Sequence, residues 1–394
     1  MTEQSQPAIE PWGFLAPVPR AEIPAAPPPD DTWIFDGGTA RVYYGSGNRG
    51  PVHPVVLSDG FSIGPTDHDL FWDSLERGPF PFASELRARG RDLVLVGYRE
   101  RSRPVLDNAR VAIECINRTI AERYGNAPLT VGGFSMGGVI MRYALAKMEH
   151  DRVDHQTDLY LSYDAPHRGA WIPIALQALA HFLIATPDLS QQINSPAARE
   201  LLWRHLATPD GTPAEDPMRT RLLAELAKVG GWPVRPRRLG ASNGGPFGNG
   251  VAPGVDALRV TTGWFTGTTL RTQSAGKDQE VALLKGACAA EAILTDGLPE
   301  LDGAPGGTLE SFGVIGRKMR LTGAVDLTPG TETVCFVPAV SALSVRDLEE
   351  DIAVDIDSLP PGESDFDEFT LSTANNPHAV MSRELGAWIV DRIG

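Results

Sequence analysis

Cysteine is scarce in this chain of 394 residues, and so is positive charge. Cys115, Cys288 and Cys335 are its only thiols. That is too few for a disulfide framework at this length. Cys115 falls in a predicted helix and Cys335 in a predicted strand. Both read as small buried hydrophobes, and neither stands in a metal-like spacing. The 50 acids outnumber the 35 lysines and arginines for a formal charge of −15, which argues against nucleic acid or an anionic membrane surface as a partner. An acidic surface means solubility and implies no substrate. No apolar run approaches the ~18 residues of a membrane span. Residues 1–31 lack a basic start followed by an apolar run, so they do not read as a Sec-type signal peptide. They are rich in proline and predict an extended extension without a core, from which Trp12, Phe14 and Leu15 could dock. A cytoplasmic enzyme is the default expectation, with a leaderless copy of an exported protein as the alternative. The oligomeric state has no signal. The remaining composition, 42% hydrophobic and 22% charged, is ordinary for a globular protein. The length allows one large domain with insertions or two domains.

What is present centres on Leu129 to Arg142, read L-T-V-G-G-F-S-M-G-G-V-I-M-R. A β-branched run enters a glycine-flanked serine, and an amphipathic helix follows. Gly133-Phe134-Ser135-Met136-Gly137 is a G-x-S-x-G in the strand–turn–helix setting that lifts a serine hydroxyl above a sheet. Ser135 is the candidate nucleophile. Met136 begins the helix, so its N–H has no helical partner and can face an oxyanion at Ser135. A bare Gly/Ser loop is the bland reading, and the flanking elements weigh against it.

The rest of the chain alternates. Trp33 to Tyr44 reads as strand, turn and strand, and Pro54 to Leu57 as a short buried strand. Residues 70–90 read as a helical connection, Asp92 to Tyr98 as a parallel strand, and Pro104 opens a helix to about Tyr124. After the elbow, Asp158 to Asp164 is the next strand. This order implies a parallel sheet covered on both faces. The loop Ser58-Asp59-Gly60-Phe61-Ser62 follows the first buried strand. In a serine hydrolase of this sheet type it supplies the second oxyanion donor, and the N–H of Phe61 is the candidate. Asp67-His68-Asp69 looks metal-like but reads better as helix capping and dipole compensation.

The strand Asp158 to Asp164 runs into Ala165-Pro166-His167-Arg168-Gly169-Ala170. G-G-F-S-M-G-G followed by S-Y-D-A-P-H-R-G-A resembles the lipase-like branch of the α/β-hydrolase superfamily. The likeness covers residues 52–175 and the final histidine loop. It implies an α/β-hydrolase fold with a mostly parallel central sheet, and a structural role for His167. Residues 171–231 read as helices and would form a cap insertion, with Ile172 to Ala185 lining either core or an acyl pocket. Arg238 to Ser242 is a predicted strand. Residues 255–330 read as a β-rich insertion, with Leu258 to Arg271 and Ser311 to Leu321 as antiparallel strands. Thr333 to Pro338 reads as the last sheet strand. The run Asp347 to Glu368 is strongly acidic, with a solvated loop at Leu359-Pro360-Pro361-Gly362, and Val380 to Ile393 reads as the closing helix. Residues 32–394 thus form one domain with two insertions.

A serine hydroxyl needs a base within hydrogen-bond reach. Of eight histidines, His378 lies on the loop before the terminal helix, in the order Ser…acid…His that the resemblance implies. His53, His150, His155, His181 and His205 fit that order less well. The acid departs from the commoner family pattern, which expects an aspartate after Arg238 to Ser242, where this chain has Ser-Asn-Gly-Gly. Asp164 is favoured, with Asp302 as runner-up and Asp326 third. The leading expectation is a hydrolase of a carboxylic ester, small or acyl, with no metal or organic cofactor. Transfer of the acyl group to an amine, alcohol or thiol (an acyltransferase, cyclase or peptidase) is the second. A non-catalytic binding protein on the same fold is the third.

Overall fold

A computed structural model describes residues 23–183, 187–286, 290–352, 355–360 and 362–394. The expected docking of Trp12, Phe14 and Leu15 and the environment of Cys288 lie outside the described residues.

The chain opens with a hairpin, β1 (Asp31–Phe35) and β2 (Gly38–Tyr43), turning at Asp36-Gly37. β3 (Pro54–Ser58), α1 (His68–Glu76), α2 (Phe82–Ala88), β4 (Asp92–Tyr98), α3 (Val105–Glu122) and β5 (Leu129–Phe134) follow. Then come α4 (Met136–His150) and β6 (Thr157–Tyr163). Every residue of β3, β4 and β5 is buried, as expected for Val- and Leu-rich strands covered on both faces. The main sheet runs β1-β2-β4-β3-β5-β6, then β7 (Arg237–Ser242) and an edge strand, β15 (Glu368–Leu371). β2 is antiparallel to β4, and from β4 to β15 all neighbours are parallel. α11 (Arg383–Ile393) packs against α2 on one face, while α3 and α4 pack together on the other.

Two excursions leave this sheet. Between β6 and β7 lie α5 (Ile174–Phe182), α6 (Pro187–Asn194), α7 (Pro196–Leu201) and α8 (Pro217–Lys228). After β7, a five-stranded antiparallel sheet forms from β8 (Asp256–Val260), β9 (Thr269–Arg271), β10 (Gln279–Lys285), β11 (Ala290–Thr295) and β13 (Val325–Leu327). A separate ladder pairs β12 (Gly306–Leu309) with β14 (Val334–Pro338), which continues into α10 (Ala339–Ala342).

Three expectations need correction. Ser311 to Leu321 is not a strand: α9 covers Ser311–Met319, with Phe312, Ile315 and Met319 buried at helical spacing. The two glycines inside it blur that period toward alternation. Thr333 to Pro338 is a strand but lies outside the main sheet, paired with β12. The last sheet strand is β15, at the end of the acidic run, where no strand was expected. Its acids are paired with distant arginines: Glu368 meets Arg237 and Arg392, and Asp367 meets Arg238 at 2.9 Å.

Candidate active site

Ser135 stands between β5 and α4 with φ 53° and ψ −128°, a conformation that L-residues avoid. The turn closes only because its flanking positions are glycine. A Cβ on Gly133 would lie 2.3 Å from the Gly137 backbone, and one on Gly137 would lie 2.4 Å from the carbonyl of Ser58. The Ser135 N–H donates to Tyr163 O at 2.9 Å, tying the turn to the neighbouring strand.

His378 follows β15, with its Nε2 2.7 Å from Ser135 Oγ and its Nδ1 2.7 Å from Asp164 Oδ2. A carboxylate only accepts, so Nδ1 carries the proton and Nε2 is left to accept from the serine hydroxyl. All three side chains are buried, with Ser135 7% exposed. Asp164, the residue after β6, has φ 50°, and Ala379 beside the histidine has φ 59°. Three left-handed non-glycine residues therefore meet at one place, the kind of clustering that functional sites show. Asp164 Oδ1 accepts the Asn243 N–H at 3.1 Å, and Oδ2 accepts the Ala379 N–H at 3.3 Å. Phe336 of β14 lies edge-on to the His378 ring, centroids 4.8 Å apart, and shields it from water.

The other acids stand elsewhere. Asp302 is buried against Trp171 Nε1 at 2.6 Å and the Gln273 N–H at 2.7 Å, and burial pushes its pKa up to about 6. Asp326 is exposed on β13. His167 packs between Ser162 Oγ at 2.8 Å and Arg142 Nη1 at 3.4 Å. Burial first, and the charges of Arg142 and Arg168 second, hold it well below its ordinary pKa, so it is neutral. Asp67 caps α1 through the Asp69 and Leu70 N–H groups, Asp69 pairs with Arg41 at 2.7 Å, and His68 bonds Thr39.

Gly60 lies against the nucleophile: a Cβ there would be 3.2 Å from Ser135 Cβ. Phe61 and Ser135 line one apolar space with Pro166, Ala170, Ala198, Leu201, Leu202 and Phe336, and its free volume is about 10 Å³. α7 forms much of this wall. It is fastened by Ala197 N–H to Ser102 O at 3.0 Å and by the Val105 N–H to Glu200 Oε2 at 2.6 Å. Burial pushes the Glu200 carboxyl up to about 7. Sequence reasoning missed Asn243 as a partner of the acid and Phe336 over the base, while α7 lies within the helices 171–231 expected to form a cap. Only Asn243 had a signal, its position after β7 where an acid was expected. A larger cavity of about 260 Å³, among His53, Arg91, Asp158 and Arg392, lies at the opposite ends of the strands. Ligand sites of open parallel sheets form at the carboxyl ends, where Ser135 is.

The strand order, the antiparallel second strand and the serine turn after β5 define an α/β-hydrolase fold. No family model matches the chain, and no curated protein does. Among solved structures it is similar to the mature lipase BlEst2 of Bacillus licheniformis: 14% identity over 54% of this chain and 73% of that one, TM-score 0.34. An esterase of Pyrobaculum calidifontis is similar at 15% identity, over 54% of this chain and 65% of that one, TM-score 0.33. Est1E from Butyrivibrio proteoclasticus has 15% identity over 54% of this chain and 76% of that one, TM-score 0.31. The fold assignment rests on the strand order itself. No helix among the described residues is long and apolar enough to cross a membrane.

Proposed function

We propose that this protein is a serine hydrolase that cleaves a carboxylic ester through an acyl-enzyme on Ser135. The observation carrying this reading is the unbroken chain Ser135 Oγ, His378 Nε2, His378 Nδ1, Asp164 Oδ2, with both links at 2.7 Å. Ser135 Oγ attacks the ester carbonyl while its proton passes to His378 Nε2. Asp164 holds the imidazole in the required tautomer and stabilises the imidazolium. The N–H groups of Met136 and Phe61 receive the oxyanion, each contributing about 3 kcal/mol to the transition state. Collapse breaks the ester bond, and the departing alkoxide takes the His378 proton and leaves as alcohol. Water then attacks the acyl-enzyme by the same route in reverse and releases the acid.

The lining favours an apolar acyl group, since apart from Ser135 itself every residue around that space is apolar. At about 10 Å³ the space holds no more than one water, so its walls must part when a substrate enters. The helices α5 to α8 then act as the cap.

Incubation with a fluorophosphonate, followed by intact-mass and peptide analysis, tests the reading. A single adduct on Ser135, absent in Ser135→Ala, with p-nitrophenyl ester turnover lost in the same variant, is expected. An unlabelled wild-type protein without esterase activity sinks it.

A further inference from the structure

The carbonyl of Asp59 lies in the path of the elbow, since a Cβ on Gly137 would sit 2.6 Å from it. The Asp59 side chain faces away, into a polar cluster that the nucleophile, base and acid do not use. Its Oδ1 accepts the N–H of Gly60, the next residue, at 2.8 Å. Its Oδ2 accepts the Thr66 hydroxyl at 2.9 Å and Arg101 Nη1 at 3.2 Å. The Arg101 side chain is 11% exposed and that of Asp59 15%, so the pair is largely withdrawn from water. Thr66 is pinned to β4 by bonds to the N–H and carbonyl of Tyr98, and the Arg101 N–H donates to Gly64 O at 3.0 Å.

The arrangement decides which amide of the loop faces Ser135. With the Gly60 N–H committed to its neighbour's carboxylate, the next free amide is that of Phe61. We propose that Asp59 and Arg101 are positioning residues: Asp59 turns the Gly60 amide away so that the Phe61 N–H meets the oxyanion, and Arg101 both anchors and neutralises Asp59. This inference rests on the serine-hydrolase reading. Neutralisation matters because a bare carboxylate beside the loop would repel the developing oxyanion.

The test is a double-mutant cycle on hydrolysis of a short p-nitrophenyl ester, with thermal melts of each variant. Asp59→Asn should lower kcat roughly tenfold and Arg101→Met about 10²-fold, each with KM within about twofold. The double variant should recover to about the level of Asp59→Asn, because the uncompensated charge is gone. Affinity for an alkyl trifluoromethyl ketone, whose hemiketal with Ser135 carries the oxyanion, should fall in step with kcat. The matching methyl ketone should bind unchanged. Should Arg101→Met fail to fold, Arg101→Lys keeps the charge with a different reach and should fall between it and wild type. Normal kcat and trifluoromethyl ketone affinity in folded variants overturn the positioning role. So does a double variant no better than Arg101→Met. If the wild type itself neither turns over ester nor takes the fluorophosphonate, the hydrolase reading falls and this role falls with it.

Discussion

Ser135 and His378 bond to each other, yet the two ends of that bond are built in opposite ways. The serine end is mostly local: one strand, one turn and one helix, spanning Leu129 to His150, set its shape, with a single bond from the Ser135 N–H to Tyr163 O of β6. The histidine end is assembled from afar. The His378 N–H donates to Thr308 O of β12, the Asn376 N–H to Asn243 O, and the Asn243 side chain to Pro377 O. Phe336 covers the ring from β14, and Asp164 arrives from β6. A nucleophile can be fixed by its own neighbours because its strain is set by two backbone torsions. A base and an acid must be brought to it, and the insertion between β7 and β15 supplies much of the scaffold.

The distant end should therefore break most readily. Asp164→Asn should lower kcat by about 10⁴-fold while the melting temperature stays within a few degrees, since the tautomer is lost and the shape kept. Turnover near wild type would show that Asp164 does not orient His378. Next comes Gly307→Ala on β12. A Cβ there would lie 2.0 Å from Asp164 Oδ2, so the acid must move, and a shift near 1 Å is worth roughly 10²-fold in kcat. Kinetics alongside a melt would check it, and unchanged kcat would show that the histidine end tolerates displacement.

Asp302 tests the excursion without touching the chemistry. Its folded pKa, about 6, is raised mainly by burial, against an unfolded value of about 3.9. The folded state thus holds the proton more tightly. This group's contribution to stability is complete below about pH 4 and is lost as pH rises toward 6, on the order of 3 kcal/mol. Urea melts at pH 4, 5 and 6 should show that slope in wild type and a flatter one in Asp302→Asn. Equal slopes would remove Asp302 as its cause. The smallest effect expected is from Asn243→Ala. The backbone bond to Asp164 survives, while Tyr163 Oη and Pro377 O lose a partner, costing about 1–2 kcal/mol of stability and a few-fold in kcat. A loss as large as that of Asp164→Asn would mean that the side chain, too, orients the acid.

How legible each part was in the sequence follows the same division. The buried strands β3, β4 and β5 and the turn at Ser135 were readable because apolar runs and glycine spacing act over a few residues. Ser135 was named from its glycine-flanked turn, Asp164 from the end of its strand and His378 from order along the chain, and the fold brings those three together. β15 was missed because it is short and follows a strongly acidic run, whose last acids are offset only when Arg237, Arg238 and Arg392 come beside them. α9 was read as a strand because Gly313 and Gly316 interrupt its apolar stripe. The Asp59–Arg101 pair has no signal at all, since 42 residues separate its members.

By itself, then, the amino-acid sequence determined the layered α/β plan, the serine turn and a short list of partners for it. These depend on hydrophobic periodicity and on backbone torsions, which are properties of neighbours. Tertiary structure decided that Asp164, favoured but not fixed by the sequence, faces His378, that Phe336 lies over the base, which helix of the expected cap meets the nucleophile, and that the Gly60 amide is turned aside. Each of those is a contact between residues far apart in the chain, and only the folded sheet sets their distances.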